Sequence, residues 1–449
     1  MQLLPLYFDM RNDYYKRNID TNLAEWSKQT DRKPLLLRGA RQVGKTSTVR
    51  TLGKRFRYYA EINFDNDAEV HDFFLQNLDP SELCSRLSLY TKTPIVPGQT
   101  LLFFDEIQSC IPAMKTLRYF YEKYPAQHII CAGSLLEFAL EEIPSFGVGR
   151  IHSVFMYPFS FYEFLGALDE ENLAEACRNA GPEKPLPEPV HKQLIDCLKL
   201  FLLTGGMPEP VSRYAKTRDL IIIEDVLEDL LTSFRDDFSK YRSRVSSLVL
   251  NEVFESVMHQ TEGKFIYERA ALETGNARVK QVLELLIMAG LTHPVVHSAA
   301  NGIPLGAETN LKYRRIIPCD TGIFLHILGI EKSKILLAND FYAVNRGALA
   351  EIFTGLELLK KGTTHAQRQL YCWHREKAQS SAQIDYLIQR GSSIIPIEVK
   401  SGTQGGMKSL KLFMAEKNIE RGVRTSLENF AKKDNYDIYP LYAISNLYN

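Results

Sequence analysis

The pattern of apolar and polar positions predicts an α/β unit in the N-terminal part of the chain. Strand-like runs begin at Leu35, Tyr58, Thr100, His128 and Ile151, and helical stretches separate them. The run that starts at Thr100 has four consecutive apolar residues, which fits a parallel strand buried on both faces. Strands that alternate with helices are typical of a parallel sheet covered by helices.

The middle of the chain has a helical pattern. Residues 169–190 are acidic and rich in Pro and Gly, which predicts a loop or linker. Helical stretches follow at 191–203 and 220–240, and Asp236 and Asp237 on the second are expected to be solvated. Three more, at 246–260, 266–274 and 277–289, precede a β-ribbon that ends near residue 318, the outline of a winged helix. Two interpretations stay open: contact with DNA through Arg278 and Lys280, or use of this unit as a lever or dimer contact.

The loop after the first strand has the form G-x-x-x-x-G-K-T. Gly39 and Gly44 permit backbone geometries that a Cβ would block, so successive amides can curl around a phosphate at the start of the next helix. Lys45 brings a positive charge to the β- and γ-phosphates, and the Thr46 hydroxyl can ligate Mg²⁺. The predicted site for ATP consists of Gly39, Ala40, Arg41, Gln42, Val43, Gly44, Lys45, Thr46 and Ser47.

Candidates for hydrolysis follow later strands of the same sheet. Asp105 and Glu106 end the third strand, at the edge where open α/β sheets bind ligands. Asp105 is predicted to hold the water shell of Mg²⁺, and Glu106 to orient and polarise the attacking water. Ser134 either senses the γ-phosphate or caps the following helix, and the two roles are compatible. Arg150 is either a cation for the γ-phosphate, in its own chain or a neighbour's, or an ordinary surface arginine.

A second group of chemically capable residues lies in the C-terminal part, where a helix at 347–361 precedes strand-like runs at 369–374, 382–389 and 393–400. A hairpin would bring Asp385 close to Glu398, and Glu398 and Lys400 point to the same face of their strand. Two carboxylates can hold a divalent cation and a lysine can activate water, as in metal-assisted phosphodiester hydrolysis. Glu351 on the helix is a candidate third ligand. The alternatives are a cross-strand salt bridge on an exposed hairpin, or a site that only binds.

Composition restricts the class of protein further. Hydrophobic residues make up 45% and charged residues 24%, as in ordinary globular proteins, and 54 Lys and Arg balance 54 Asp and Glu. Any nucleic-acid surface must therefore be local; residues 341–449, with 15 Lys and Arg against 10 Asp and Glu, support a polyanion partner only mildly. Seven scattered cysteines without C-x-x-C spacing favour reduced thiols and no zinc site. Without a signal pattern or a membrane-length apolar run, we expect a cytoplasmic protein that does not contact membranes.

Seven short motifs follow one another along nearly the whole chain. They are Arg-Gly-Ala-Arg-Gln-Val-Gly-Lys-Thr at 38–46, Phe-Asp-Glu-Ile-Gln at 104–108, Ala-Gly-Ser at 132–134, Gly-Arg at 149–150, Tyr-Pro-Phe-Ser-Phe-Tyr-Glu-Phe at 157–164, Gly-Gly-Met-Pro-Glu at 205–209 and Ile-Glu-Val-Lys-Ser-Gly at 397–402. In this order they resemble a bacterial and archaeal family that joins an AAA-type ATPase to a domain similar to PD-(D/E)xK nucleases. The resemblance implies a P-loop NTPase sheet and a restriction-endonuclease-like α/β end. The chain departs from the nuclease pattern because Ile384 replaces the proline before Asp385.

We therefore predict three domains: a P-loop ATPase domain with an N-terminal helix at 1–168, a helical lid and winged-helix domain at 191–318, and a nuclease-like domain at 319–449. ATP and Mg²⁺ are the expected cofactors, with a second divalent cation in the last domain. The favoured function is an ATPase that acts on DNA, cutting it with Asp385, Glu398 and Lys400.

The rival function is an ATP-dependent switch whose C-terminal domain binds a protein partner and cuts nothing. Burial or mutual ion pairing of Asp385, Glu398 and Lys400 would favour that switch. A metabolite kinase is a weaker alternative, because such an enzyme would not need the roughly 250 C-terminal residues. An arginine that acts on a neighbouring chain would require an oligomer, which the sequence does not establish.

Overall fold

The computed structural model describes residues 14–76, 79–134, 136–137, 140, 149–238, 245–271, 273–337, 347–361, 368–375 and 382–448. The strands are β1 Leu35–Arg38, β2 Tyr58–Asn63, β3 Thr100–Asp105, β4 His128–Ala132, β5 His152–Phe155, β6 Thr292–Ser298, β7 Thr309–Pro318, β8 Leu370–His374, β9 Gln383–Arg390, β10 Ser393–Val399, β11 Gly422–Ser426, β12 Ala431–Lys432 and β13 Tyr436–Pro440. The helices are α1 Ile19–Lys28, α2 Lys45–Gly53, α3 His71–Gln76, α4 Pro80–Thr91, α5 Ile111–Lys123, α6 Phe161–Ala167, α7 Glu171–Arg178, α8 Glu188–Thr204, α9 Pro208–Thr217, α10 Leu220–Asp237, α11 Ser247–His259, α12 Asn276–Met288, α13 Thr321–Ile327, α14 Lys332–Leu336, α15 Ala348–Lys360 and α16 Lys408–Lys417. The helix that was expected to follow Ser134 lies largely outside the described residues.

The N-terminal sheet has the strand order β2-β3-β4-β1-β5, and all of its strands are parallel. This confirms the predicted α/β fold. Parallel strands need helical crossovers, and the apolar runs of β1, β3 and β4 are buried because helices cover both faces. The carboxyl ends of β1, β3 and β4 meet at one edge, which carries the phosphate-binding loop and both acidic candidates.

Two secondary-structure predictions for the middle of the chain are wrong. Residues 169–190 were expected to be a loop or linker, yet they contain α7 and the start of α8. Ala174 and Cys177, three positions apart, bury one face of α7, a signal that the following Pro and Gly residues obscured. Among the described residues of 266–274, only Tyr267–Arg269 are helical, as a 3₁₀ turn. The Gln260 side chain bonds both backbone groups of Ile266 and holds that residue extended, which prevents a longer helix from starting there.

The C-terminal sheet has the order β12-β13-β11-β10-β9-β8-β6-β7. β6 and β7 form the expected antiparallel ribbon, but β6 also pairs with β8 in parallel, with Val295 opposite Leu370. The predicted domain boundary after Pro318 therefore falls within one continuous sheet. The physical reason is that the backbone N–H and C=O groups on the edge of β6 need partners, and β8 supplies them in place of solvent.

A buried polar contact joins the N-terminal, middle and C-terminal parts; we call its residues the junction. They are Phe159, Phe161, Gly206, Asp320, Glu357 and Lys360. The Phe159 amide donates to Gly206 O at 2.6 Å, and the Gly206 amide donates to Asp320 Oδ2 at 2.6 Å. The Phe161 amide donates to both carboxylate oxygens of Glu357 at 3.2 Å, and Lys360 Nζ donates to Phe159 O at 2.8 Å. Motifs far apart in sequence thus satisfy one another's buried polar groups.

Among the helices of the described ranges, none combines the length and the apolar character that crossing a membrane requires.

Candidate functional sites

The phosphate-binding loop has the backbone geometry that its glycines predict. Gly39 has φ +145° and Gly44 has φ +95°, conformations that favour glycine. A Cβ on Gly39 would lie 2.1 Å from Met156 O, so glycine is required there by space as well. Gly44 precedes α2, whose N-terminus presents free amides and the positive end of its dipole toward the loop.

Lys45 is buried inside this loop. Its Nζ donates to Gly39 O at 2.9 Å and to Ala40 O at 2.8 Å. Burial lowers the pKa of Lys45 to about 8, against the opposing effect of the Glu106 and Asp105 charges. The ammonium is thus held by carbonyls that phosphate oxygens would replace.

The metal ligands that the sequence predicted lie side by side. Thr46 Oγ1 donates to Asp105 Oδ2 at 3.0 Å, and Asn63 Nδ2 on β2 lies 3.4 Å from the same oxygen. Burial, and then the charge of Glu106, raise the pKa of Asp105. A hydroxyl and a carboxylate beside a phosphate-binding loop fit the preference of Mg²⁺ for oxygen ligands, so these residues can hold Mg²⁺ bound to ATP.

Glu106 and Ser134 are brought together at the ends of β3 and β4. Glu106 Oε2 accepts from Gln108 Nε2 at 2.6 Å, from the Ser134 amide at 3.2 Å and from Ser134 Oγ at 3.3 Å. A Cβ on Gly133 would lie 1.8 Å from Gln108 Oε1, which explains the glycine of the Ala-Gly-Ser motif. The carboxylate expected to polarise water is therefore fixed by three donors, one of which, Gln108, the sequence interpretation missed.

Arg150 is not brought to this site. Its Nε donates to Glu122 Oε1 at 2.5 Å on the surface. His152, two residues later, pairs with Leu35 at the start of β1, the edge opposite to the phosphate-binding loop. A role on the γ-phosphate of its own chain is therefore not supported, and a role on a neighbour's stays a prediction.

Two arginines beside the phosphate-binding loop make contacts that only the tertiary structure reveals. Arg17 is buried and donates to Val43 O at 3.0 Å and Tyr157 O at 2.6 Å, and it pairs with Glu163. Arg41 forms an ion pair with Asp237 of α10. Asp237 was expected to be solvated; it is buried because α10 packs on the loop. Sequence spacing could not indicate Glu163 or Asp237 as partners, because each lies far along the chain from the arginine that it pairs with.

The C-terminal candidates converge as predicted. Tyr386 pairs with Ile397 across β9 and β10, which places Asp385 directly opposite Glu398. Asp385 Oδ2 accepts from the Val399 amide at 2.8 Å, and Lys400 Nζ lies 2.6 Å from Glu398 Oε1. Asp385 and Glu398 are buried. The alternative of a cross-strand Asp–Lys salt bridge on an exposed hairpin is therefore wrong, because these carboxylates are buried.

An unpredicted residue, Arg315 of β7, lies between two members of the carboxylate cluster, by which we mean Glu351, Asp385 and Glu398. Arg315 Nη1 pairs with Glu351 Oε2 and lies 3.9 Å from Asp385 Oδ1, and Nη2 donates to Asp385 O at 2.5 Å. The sequence around Arg315, two arginines followed by apolar residues, indicates a strand that enters the core but does not indicate its partners. Burial raises the pKa of Glu351 to about 8 and that of Glu398 to about 7, with the Asp385 charge as the next cause. Within the described ranges, no three such side chains stand close enough to hold a metal ion.

The parallel sheet, the glycine-bounded loop with its lysine, and the Asp-Glu strand end define a P-loop nucleoside triphosphatase. Comparison with protein families narrows this class of protein: residues 31–165 match the model of an AAA domain, which supports an AAA-type ATPase. Residues 195–334 match one domain of unknown function (DUF8612) and residues 346–444 another (DUF4143).

Comparison with solved structures gives distant likenesses. The Walker-type ATPase of Pyrococcus abyssi is 18% identical over 71% of this chain and 97% of that chain, with a TM-score of 0.43. The Orc1 protein of Aeropyrum pernix in complex with DNA is 15% identical over 72% and 95%, with a TM-score of 0.31. Drosophila ORC bound to DNA is 14% identical over 69% and 85%, with a TM-score of 0.25. These scores are too low to support an argument about substrate or partner, and no curated protein matches the chain.

Proposed function

We propose that this protein is an ATP-dependent switch: its N-terminal domain binds and hydrolyses Mg²⁺-bound ATP, and the nucleotide state changes the position of the C-terminal sheet. ATP would bind through residues 39–47, with Thr46 and Asp105 at the metal. Glu106, fixed by Gln108 and Ser134, would orient and polarise the attacking water.

One observation supports the proposed coupling between nucleotide state and the C-terminal sheet. The turn at 205–208 contacts the phosphate-binding loop at one end and the C-terminal part at the other. Pro208 Cγ lies 3.6 Å from the position of a Cβ on Gly44, and Gly206 bonds Phe159 and Asp320. Space fixes this turn, since a Cβ on Gly205 would lie 2.1 Å from Asp320 Oδ1. A nucleotide that moves the phosphate-binding loop would therefore also move the turn at 205–208. Because tightly packed contacts have few alternative arrangements, this movement would be passed on to the C-terminal part.

The switch predicts that ATP alters amide hydrogen exchange in the C-terminal part. We expect ATP with Mg²⁺ to change exchange in α15, β9 and β10 of the wild type and of Glu106→Gln, which should bind but not hydrolyse. Lys45→Ala should show no change, because it lacks the charge for the phosphates. Changes confined to residues around the phosphate-binding loop would refute coupling while leaving the ATPase intact.

The second candidate is an ATPase that acts on DNA and cuts it with Asp385, Glu398 and Lys400. It is supported by the register that sets Asp385 opposite Glu398, and by the order helix, three antiparallel strands, helix and parallel strand from α15 to β11. The exposed Arg278 and Lys280 at the start of α12 give DNA a place to bind. Burial and ion pairing of the carboxylates place this candidate behind the switch.

Cleavage of labelled single- and double-stranded DNA, with Mg²⁺ or Mn²⁺ and with or without ATP, separates the two candidates. Cutting that is lost in Asp385→Ala/Lys400→Ala would establish the nuclease, and its loss in Lys45→Ala would show that ATP controls it. ATP hydrolysis that depends on Lys45 and Glu106, with no cutting under any condition, would refute the nuclease and leave the switch as the better supported function.

A further inference from the structure

We propose that a cavity beside the phosphate-binding loop binds a small neutral aromatic molecule and that this molecule regulates ATP binding. The cavity lies where the carboxyl ends of β1, β4 and β5 meet the end of α12, and we call it the α12 cavity. Its volume is about 100 Å³. The regulatory effect rests on the ATPase function proposed above, whereas binding to the cavity does not.

The α12 cavity is separate from the place of the phosphates, which are expected at the N-terminus of α2. Of the described residues that line it, only Gly39 and Ala40 belong to the phosphate-binding loop, and none lies within 41–47. Ser134 lines its border, but the two carboxylates at the end of β3 do not. The other walls come from β5 and from α12 with the residues after it, none of which takes part in the proposed hydrolysis.

The side chains around the cavity favour an aromatic ring. Phe155, Tyr157 and His293 provide aromatic walls, and Met156 and Met288 provide sulfur atoms, which make favourable contacts with ring edges. An apolar cavity of roughly 150 Å³ binds benzene, so the size of the α12 cavity limits the ligand to a single small ring.

The charges around the cavity make an ionic ligand unfavourable. Among the described residues that line it, Glu137 is the only acid, and it is paired with Arg38. The Arg38 guanidinium also lies 4.7 Å from the centre of the Phe155 ring. Since both charges are already compensated, an ion that entered would lose its hydration and gain no counterion.

Two polar atoms of the walls indicate that the ligand carries a hydrogen-bonding group. His293 Nε2 and Tyr157 Oη are buried, and no described residue forms a hydrogen bond with either atom. His293 is only 5% exposed, and burial lowers its pKa to about 4, so its neutral ring has one donor and one acceptor nitrogen. A buried polar atom without a partner is costly, and an O–H or N–H group of a ligand would remove that cost.

The position of the cavity connects a ligand to the resting form of the loop. Gly39 O and Ala40 O accept from Lys45 Nζ at 2.9 and 2.8 Å. On the other side, a Cβ on Gly290 would lie 3.2 Å from the Ala40 nitrogen, so the end of α12 already packs on the loop. A ring between these parts would hold the loop in the form in which carbonyls, and not phosphates, bind Lys45. The ligand should therefore weaken ATP binding, and ATP should weaken ligand binding by the same factor.

The first experiment measures the binding of phenol and toluene to the full chain without nucleotide, by saturation-transfer NMR and by the shift in Tm. The two probes have the same size, but only phenol has an O–H group. We expect phenol to bind with a Kd of about 1 mM or lower, and more tightly than toluene. The double substitution His293→Phe/Tyr157→Phe should remove this preference.

Met288→Trp, which fills the cavity, should weaken the binding of both probes by roughly tenfold or more. Leu248→Trp, at an exposed position of α11, is the control and should bind them as the wild type does. Circular dichroism checks that each variant is folded. If folded Met288→Trp bound phenol as well as the wild type, or if the double Phe variant still preferred phenol, the proposed site would be overturned.

The second experiment follows steady-state ATP hydrolysis with and without phenol. We expect saturating phenol to raise KM for ATP roughly fivefold in the wild type and to have no further effect on Met288→Trp. Adenosine, which has the base but no phosphates, should not displace phenol, whereas Mg²⁺-bound ATP should weaken its binding. Displacement by adenosine would show that the cavity takes the base of ATP, and it would overturn the regulatory role, as would an unchanged KM.

The two proposals fail in different ways. A wild type without any Lys45-dependent hydrolysis would refute the proposed ATPase and with it the regulation, while the probe experiment without nucleotide would still decide whether the α12 cavity is a binding site.

Discussion

Arg41 of the phosphate-binding loop is paired with Asp237 at the end of α10. Beside this pair, Gln42 Nε2 donates to Ser233 Oγ at 2.9 Å, so one helix holds two successive loop side chains. The pair neutralises a positive charge next to the place of the phosphates.

Asp237→Asn is therefore expected to tighten ATP binding. The substitution keeps the size of the side chain but releases the Arg41 charge toward the phosphates, and we expect a decrease in Kd of roughly three- to tenfold at low salt. Isothermal titration calorimetry measures it. Ser233→Ala, which removes a neighbouring hydrogen bond without changing charge, is the control. Weaker binding by Asp237→Asn would mean that the pair instead holds the loop in its binding conformation.

Glu106→Gln should separate binding from hydrolysis. The amide cannot polarise water, so we expect kcat to fall about 10²–10⁴-fold while ATP affinity changes little. Single-turnover phosphate release and equilibrium binding measure the two quantities. Gln108→Ala, which removes one donor to Glu106 and no charge, should reduce kcat less. If Glu106→Gln hydrolysed ATP at the wild-type rate, the catalytic base would have to be sought elsewhere.

Arg17→Lys should weaken ATP binding through the backbone of the loop. Lysine keeps the charge but loses the fork that reaches Val43 O and Tyr157 O together. We expect KM for ATP to rise roughly tenfold, with kcat less affected, because the loop is loosened and Glu106 is not touched. Steady-state kinetics separate the two effects. A fall in kcat at constant KM would refute this positioning role.

Glu357→Gln should destabilise the folded chain strongly. Lys360 and Glu357 are both buried, 3.3 Å apart, and removal of one charge leaves the other uncompensated, at a cost of about 3–5 kcal/mol. Denaturant unfolding measures the change. Glu357→Gln/Lys360→Met, which removes both charges, should cost less than the single substitution. An equal or larger cost for the double variant would show that the hydrogen bonds to Phe159 and Phe161 matter more than the charge pair.

His293 should make stability depend on pH. Burial lowers its pKa to about 4, and the Lys360 charge acts in the same direction. Between pH 6.5 and 4 the unfolded chain binds a proton at His293 that the folded chain does not bind. The free energy of unfolding of the wild type therefore decreases as the pH falls through that window. From pH 7 to pH 5 we expect His293→Phe to gain about 2 kcal/mol relative to the wild type, by urea unfolding. A constant difference between the two proteins would show that His293 titrates normally.

The nucleotide site was predictable because its chemistry is contiguous in sequence. Gly39 to Thr46 lie in one loop, and Asp105 and Glu106 end one strand, so local spacing determines which atoms can meet a phosphate or Mg²⁺. The hairpin that joins Asp385 to Glu398 was predictable for the same reason, since a short turn determines the register. The five-stranded parallel sheet followed from the alternation of apolar runs and helices.

Contacts between distant segments were decided by the tertiary structure alone. Sequence spacing cannot show that Arg315 enters the carboxylate cluster, that Asp237 pairs with Arg41, or that β6 pairs with β8, because each partner is chosen by packing. The same holds for Arg150, which lies at the edge of the sheet opposite to the loop. The sequence by itself determined which groups can bind ATP, while the fold decided which charges are neutralised and which distant segments contact each other, because burial makes every polar group depend on a partner supplied from elsewhere in the chain.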